Sequence, residues 1–190
     1  GNLGTPALDL LVKTPDAALY ILELSSFQLE TTPKLGAKCA AFLNFCEDHL
    51  DRHGDMAAYR AAKQRIFFAA EHAVVNADDP NTWPETANSV AHVTHFTYQA
   101  PKSNAQAWGL NESDGELCLM QGETPWLAVR ELGMTGRHNQ LNALTALAMG
   151  QLLGFERKAM CDVLRRFKGL KHRSEMVARI NGVSWVNDSK

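Results

Sequence analysis

Glu23 stands inside an otherwise apolar run, 18–24 (ALYILEL), just ahead of Ser25 and Ser26. A carboxylate in such a run is costly unless something pairs with it. Two partners stand open on spacing alone: a magnesium ion, which takes carboxylate and water oxygens, and a nearby Arg or Lys. The stretch Glu47-Asp48-His49-Leu50-Asp51-Arg52-His53 crowds acids and histidines into one short loop. His49 offers a ring nitrogen to a metal. A solvated charged loop is the competing reading, and the place directly after a strand favours a metal or phosphate site. Lys63 follows on a helix, on the side of Met56, Tyr59, Ile66 and Phe67. An apolar setting drives a lysine toward its neutral amine, which reacts with carbon dioxide to give an anionic carbamate. On the residues alone the plainer reading, a snorkelling lysine, stands ahead.

Two further groups lie downstream. Gly136-Arg137-His138-Asn139-Gln140-Leu141-Asn142 opens a helix, with Asn139 and Asn142 on one face near its start. Amides there can read the edge of a base; on the residues alone plain helix capping by Asn139 stands ahead. Lys171-His172-Arg173, with Asp188 and Lys190 beyond it, can grip phosphates; on the residues alone an exposed linker stands ahead. No GxxxxGK[ST] phosphate loop occurs in these residues.

These residues need a scaffold, and the patterning supplies one. Pro6 starts a short helix to about Lys13. The runs 18–24, 39–45 and 73–76 read as buried strands of a parallel sheet. Ser25 or Ser26 caps a helix through Thr32. Helical spacing marks 55–70, 136–153 and 156–167. Residues 90–131 alternate in short runs and read as a small antiparallel β insert. Residues 176–180 and 183–186 flank an Asn181-Gly182 turn and predict a hairpin. The fold class expected is α/β, a mostly parallel sheet flanked by helices with a small antiparallel insert. Ligands in such folds sit at the carboxyl ends of the strands, where Glu23 with Ser25, Asn44 to His49, and Asn76 to Asp79 fall.

Composition narrows the class. Lys plus Arg number 19 and Asp plus Glu 21, a net charge of −2, which gives no support to a nucleic-acid surface. No apolar run approaches membrane-helix length and no signal peptide opens the chain. Cys39, Cys46, Cys118 and Cys161 form no CxxC pair and read as reduced, buried thiols of a cytoplasmic protein. The start at Gly1 and the stop inside the polar cluster Asn187 to Lys190 read as a piece of a longer protein.

Eight stretches together resemble the muramyl ligase family: GNLG (1–4), ELSSFQLE (23–30), LNFCEDHLDRH (43–53), YRAAKQRIF (59–67), VVNADDP (74–80), GRHNQLNALTALA (136–148), GLKHRSE (169–175) and GVSWVNDSK (182–190). ELSSFQLE resembles the branch that adds D-glutamate. The resemblance implies residues 1–173 as a central ATP-binding domain lacking its upstream phosphate loop, and 174–190 as the start of a C-terminal amino-acid-binding domain. It implies ATP-dependent addition of D-glutamate to UDP-N-acetylmuramoyl-L-alanine through an acyl phosphate, in peptidoglycan precursor synthesis, by a monomer when full-length. By the same resemblance Glu23 binds one Mg2+, while His49 and carbamylated Lys63 hold a second. Asn139 and Asn142 contact adenine, and Arg173, Asp188 and Lys190, with His172 nearby, contact ATP. Asn2, Ser25 and Gln28 face the UDP-sugar peptide. Lys63, His49 and Lys190 are the expected catalytic set. Without a phosphate loop the isolated piece is expected to be inactive. Two other classes stay open: a metal-dependent phosphohydrolase built on the acidic-histidine loop, and a non-enzymatic α/β binding module.

Overall fold

The computed structural model describes residues 4–85, 90–170 and 175–189. Six strands form one sheet in simple chain order: β1 (Cys39–Phe42), β2 (His72–Asn76), β3 (His92–Phe96), β4 (Ala107–Ser113), β5 (Glu116–Gln121) and β6 (Thr124–Ala128). β1 to β4 run parallel, and β4, β5 and β6 form an antiparallel meander. The mostly parallel sheet with an antiparallel portion is therefore as expected. Its dividing line differs: β3 lies within the stretch read as antiparallel, yet it pairs parallel to β2 and to the start of β4. Alternation within a strand records which face is buried and carries no information on the direction of its neighbour.

Helices cover both faces. α1 (Ala7–Lys13), α2 (Ser26–Glu30), α3 (Leu50–His53) and α4 (Met56–Gln64) precede β2, and a 3-10 turn (Arg65–Phe67) ends α4. On that side Ala40, Phe42, Ala73 and Val75 pack against Phe67 and Ala70. α5 (Arg137–Leu152) and α6 (Arg157–Arg166) cover the other side. There Leu144, Leu147 and Ala148 meet Val74, Phe96, Trp108 and Leu119. Strand residues alternate between the two clusters, Val74 to one side and Ala73 and Val75 to the other, because successive side chains leave a strand on opposite faces. β7 (Glu175–Ile180) and β8 (Val183–Asn187) make a separate hairpin. Its turn residues Asn181 and Gly182 both take positive φ, 50° and 80°, as a two-residue hairpin loop requires.

Three expectations need correction. Among the described residues the run 18–24 joins no ladder, and Ile21 is 79% exposed. Apolar composition makes a strand only where the backbone finds a pairing edge. The polar stretch 47–54 holds a helical turn, α3, where a loop was expected. Cys46 is exposed, whereas Cys118 and Cys161 are buried and Cys39 is partly so; Cys46 lies beyond the end of β1, outside the buried ladder. Burial pushes the Cys39 thiol up to about 11, which makes it inert.

Candidate functional site

The carboxyl ends of β1, β2 and β3 are tied into one edge. Asn76, the last residue of β2, donates its amide to the Leu43 carbonyl at 3.2 Å and accepts from the Asp78 backbone N–H at 2.9 Å. Asp79 Oδ2 accepts the Phe45 N–H at 2.9 Å. Asp78 accepts the Thr97 hydroxyl at 2.7 Å and the Tyr98 N–H at 2.9 Å. The Arg137 guanidinium, at the start of α5, lies 4.2 Å from the Tyr98 ring centre. The VVNADDP stretch thus works as a buckle. It fixes the loop after β1 and brings the N-terminus of α5 to the same edge of the sheet.

The loop so held leads to His49. Its backbone is left-handed, φ 54° and ψ 29°, a region that disfavours residues other than glycine. Its ring packs against Phe27 at 5.0 Å and edge-on to Tyr59 at 6.1 Å between centroids. Tyr59 is buried and also lies under Lys63, whose Nζ is 5.4 Å from its ring centre and 5.6 Å from that of Phe42. Burial lowers the Lys63 pKa; Glu23, Cys46 and Asp48 act against that lowering. Burial raises the Tyr59 phenol, with Asp48 and Cys46 adding to it. Glu23, the 46–49 loop and Lys63 therefore share one electrostatic neighbourhood on the Phe42 side of the sheet. Glu23 itself is exposed, contrary to the buried strand position expected of it, because the run 18–24 is unpaired.

Ser25 and Gln28 face each other. Ser25 caps α2 by accepting the Gln28 N–H at 3.3 Å, while Gln28 Oε1 accepts the Ser25 N–H at 3.0 Å. This capping box occupies the same side chains that the family resemblance assigns to substrate. Asn139 is not a cap: its Nδ2 reaches back to the Thr135 carbonyl at 2.7 Å, and its Oδ1 accepts from Asn142 Nδ2 at 3.2 Å. Both amides line a cleft of about 780 Å3 between α5 and the end of α6, with Met134, Thr135, Val163 and Phe167. A slot of that size with apolar walls and a few amides suits a small ligand with a flat ring. Asp188 is exposed beyond β8. Asn2, His172, Arg173 and Lys190 lie outside the described residues.

Magnesium is the ion these donors suit. Glu23 and Asp48 supply hard oxygens, and the His49 Nε2 lies 3.4 Å from Asp48 Oδ2. Among the described residues no three His, Cys, Asp or Glu side chains converge as a ready cage. Magnesium commonly uses one or two carboxylates, keeps several waters and takes the rest from substrate phosphates, so a partial set of protein donors fits it. Among the described residues no helix is long and apolar enough to cross a membrane.

Sequence reasoning saw Ser26 only as a cap candidate and His53 only as part of the charged stretch, and passed over Glu30 and the Tyr98–Arg137 pair. The i, i+4 spacing of Ser26 and Glu30 was the available signal; nothing local announces that His53 fills the gap between them.

The model of the Mur ligase middle domain matches residues 2–150. The chain is 61% identical over all 190 residues to a UDP-N-acetylmuramoylalanine–D-glutamate ligase of Chromohalobacter salexigens, and covers 41% of that protein. It is 47% identical over 190 residues to the protein of the same name from Aliivibrio salmonicida, again covering 41%. The chain thus spans about 41% of the length of these curated relatives. Among solved structures it resembles the UDP-N-acetylmuramate-alanine ligase of Thermotoga maritima, with a TM-score of 0.60 and 20% identity over 86% of this chain and 36% of that one. That likeness concerns the fold.

Proposed function

This chain belongs to the Mur ligase family, and on that premise we propose that it is the nucleotide-handling part of an ATP-dependent ligase joining D-glutamate to UDP-N-acetylmuramoyl-L-alanine. The observation that carries the reading is a half-buried Lys63 over the Tyr59 and Phe42 rings, with His49 edge-on to Tyr59 and the charges of Glu23 and Asp48 acting on the lysine, in a chain 61% identical to a relative of that name. Residues 1–173 are read as the central ATP-binding domain and 174–190 as the start of the amino-acid-binding domain.

In the proposed reaction the acceptor carboxylate attacks the γ-phosphorus of ATP and ADP leaves, giving an acyl phosphate. The D-glutamate amine then attacks the acyl carbon, loses a proton, and phosphate departs. Both steps concentrate negative charge, and Mg2+ supplies its neutralisation when bound. Glu23 would hold one Mg2+, and His49 with carbamylated Lys63 would hold a second. Lys63 contributes an anionic oxygen once its neutral amine has attacked carbon dioxide and released one proton, and the lowered pKa favours that amine. Asn139 and Asn142 receive the adenine in the α5–α6 cleft. Arg173, Asp188 and Lys190, with His172, meet ATP or its phosphates, and Asn2, Ser25 and Gln28 the UDP-sugar peptide. The full-length protein is read as a cytoplasmic monomer, and the 190-residue chain alone, with no GxxxxGK[ST] element, as inactive.

The test is D-glutamate-dependent ADP release by the full-length protein with UDP-N-acetylmuramoyl-L-alanine. Release without the amino acid, by this chain with metal alone, would instead favour a phosphohydrolase.

A further inference from the structure

The His53 side chain is 2% exposed, against 45% for His49. Both of its nitrogens are engaged. Ser26 Oγ lies 3.0 Å from Nε2, and Glu30 Oε1 lies 3.3 Å from Nδ1. An ionised carboxylate only accepts, so Nδ1 carries the hydrogen toward Glu30, and in the neutral ring Nε2 accepts from the Ser26 hydroxyl. Ser26 is itself buried. Ser26 and Glu30 stand one turn apart on α2, and together they grip the last residue of α3. Arg52 adds an ion pair to Glu30 at 2.7 Å.

The faces of the His53 ring matter as much as its edges. Phe27 stacks on it with 5.4 Å between centroids and 15° between planes, and Tyr59 lies at 5.1 Å. Phe27 and Tyr59 are also the two rings that His49 packs against. His49 has a left-handed backbone and an exposed side chain, so neither backbone preference nor burial fixes where its ring points. The two aromatic walls do, together with Asp48, whose Oδ2 lies 3.4 Å from His49 Nε2, and His53 lies against both walls.

We propose that His53 is a positioning residue for His49: clamped by Ser26 and Glu30 of α2, it sets the Phe27 and Tyr59 rings that orient the His49 imidazole toward a divalent cation. It also couples α2, with its Ser25–Gln28 box, to the metal-holding loop. The cation part rests on the reading given under Proposed function; the ring-orientation part stands without it.

The experiment uses His53→Phe, which keeps a ring and removes both nitrogens. In the 190-residue chain, histidine side-chain NMR shows His53 of the unsubstituted protein with its hydrogen on Nδ1. It also shows His49 ring protons displaced by the neighbouring aromatic rings. In His53→Phe the His49 displacement collapses while thermal unfolding stays cooperative. In the full-length ligase the Mg2+ concentration for half-maximal rate rises about tenfold, with the rate at saturating Mg2+ held within about twofold, as expected for loss of a group behind a metal ligand. A role confined to stability would lower the melting temperature and leave both readouts where they were, and that result overturns the proposal. If His53→Phe does not fold, His53→Asn, which keeps an N–H for Glu30 and loses the ring, carries the same expectations and the same overturning result. If the unsubstituted full-length protein performs no ligation, the functional reading fails, and the NMR readout alone decides the positioning role.

Discussion

The Lys63 ammonium lies 5.4 Å from the centre of the Tyr59 ring, one turn back along α4. Ring faces tolerate a cation, yet the burial that comes with them lowers the lysine pKa. The amine is therefore neutral at a lower pH than an ordinary lysine's. With 13C-labelled bicarbonate, a carbamate carbon signal is expected that grows as pH rises toward the lysine pKa and is absent in Lys63→Arg. Glu23 acts to raise the Lys63 pKa, so Glu23→Gln lowers it further and strengthens the signal at neutral pH. A signal indifferent to both substitutions contradicts this.

Asn76→Ala strands the Leu43 carbonyl and the Asp78 N–H in a partly buried setting. A loss of about 1–3 kcal/mol in denaturant unfolding is expected. Because the buckle holds the loop leading to His49, the backbone amide signals of 44–49 should shift as well.

Gly133 sits where the entry to α5 passes the end of α6, and its N–H donates to the Leu164 carbonyl at 2.9 Å. A Cβ there would meet the Phe167 carbonyl oxygen at 2.5 Å and that of Arg165 at 2.7 Å, both of them backbone. Gly133→Ala must push α6 aside, at a cost of about 1–3 kcal/mol for overpacking. The same shift deforms the cleft beside Asn139 and Asn142, so nucleotide affinity falls together with stability.

Asn139 joins Asn142 to the Thr135 carbonyl. Asn139→Ala leaves Asn142 without its orienting partner. In the full-length protein the KM for ATP is expected to rise by roughly tenfold, the scale of one lost hydrogen bond, with the acceptor KM unchanged. Equal effects on both substrates would place Asn139 outside the nucleotide site.

His95, on β3, has a lowered pKa, chiefly through burial and secondarily through Lys102. The unfolded chain therefore takes up this proton before the folded one does. Stability from this group is whole above the ordinary histidine pKa near 6.5 and falls as pH drops below it toward the folded value. Denaturant midpoints should decline between pH 7 and pH 5, and His95→Gln should flatten that decline.

Local pattern made much of this protein legible before any tertiary contact was known. The apolar spacing around Tyr59 and Ile66, the Asn181-Gly182 turn and the long helix after Gly136 are written in residues close together in the chain, and each formed where its spacing placed it. Glu23, the His49 loop and Lys63 were picked out by residue type, and the fold sets Glu23 and Asp48 close enough to act on the charge of Lys63. What only the fold decided is what depends on partners far away in sequence. Whether 18–24 pairs, which way β3 runs beside its neighbours, and whether Asn76 and Asp79 serve a ligand or buckle the β1 loop are questions of ladder and hydrogen-bond partners tens of residues distant. His53 is the sharpest case. In the chain it is one more histidine in a charged stretch, and only the packing of α2 against α3 and α4 encloses it between Ser26, Glu30, Phe27 and Tyr59, because burial is a property of the assembled surfaces and not of the residue.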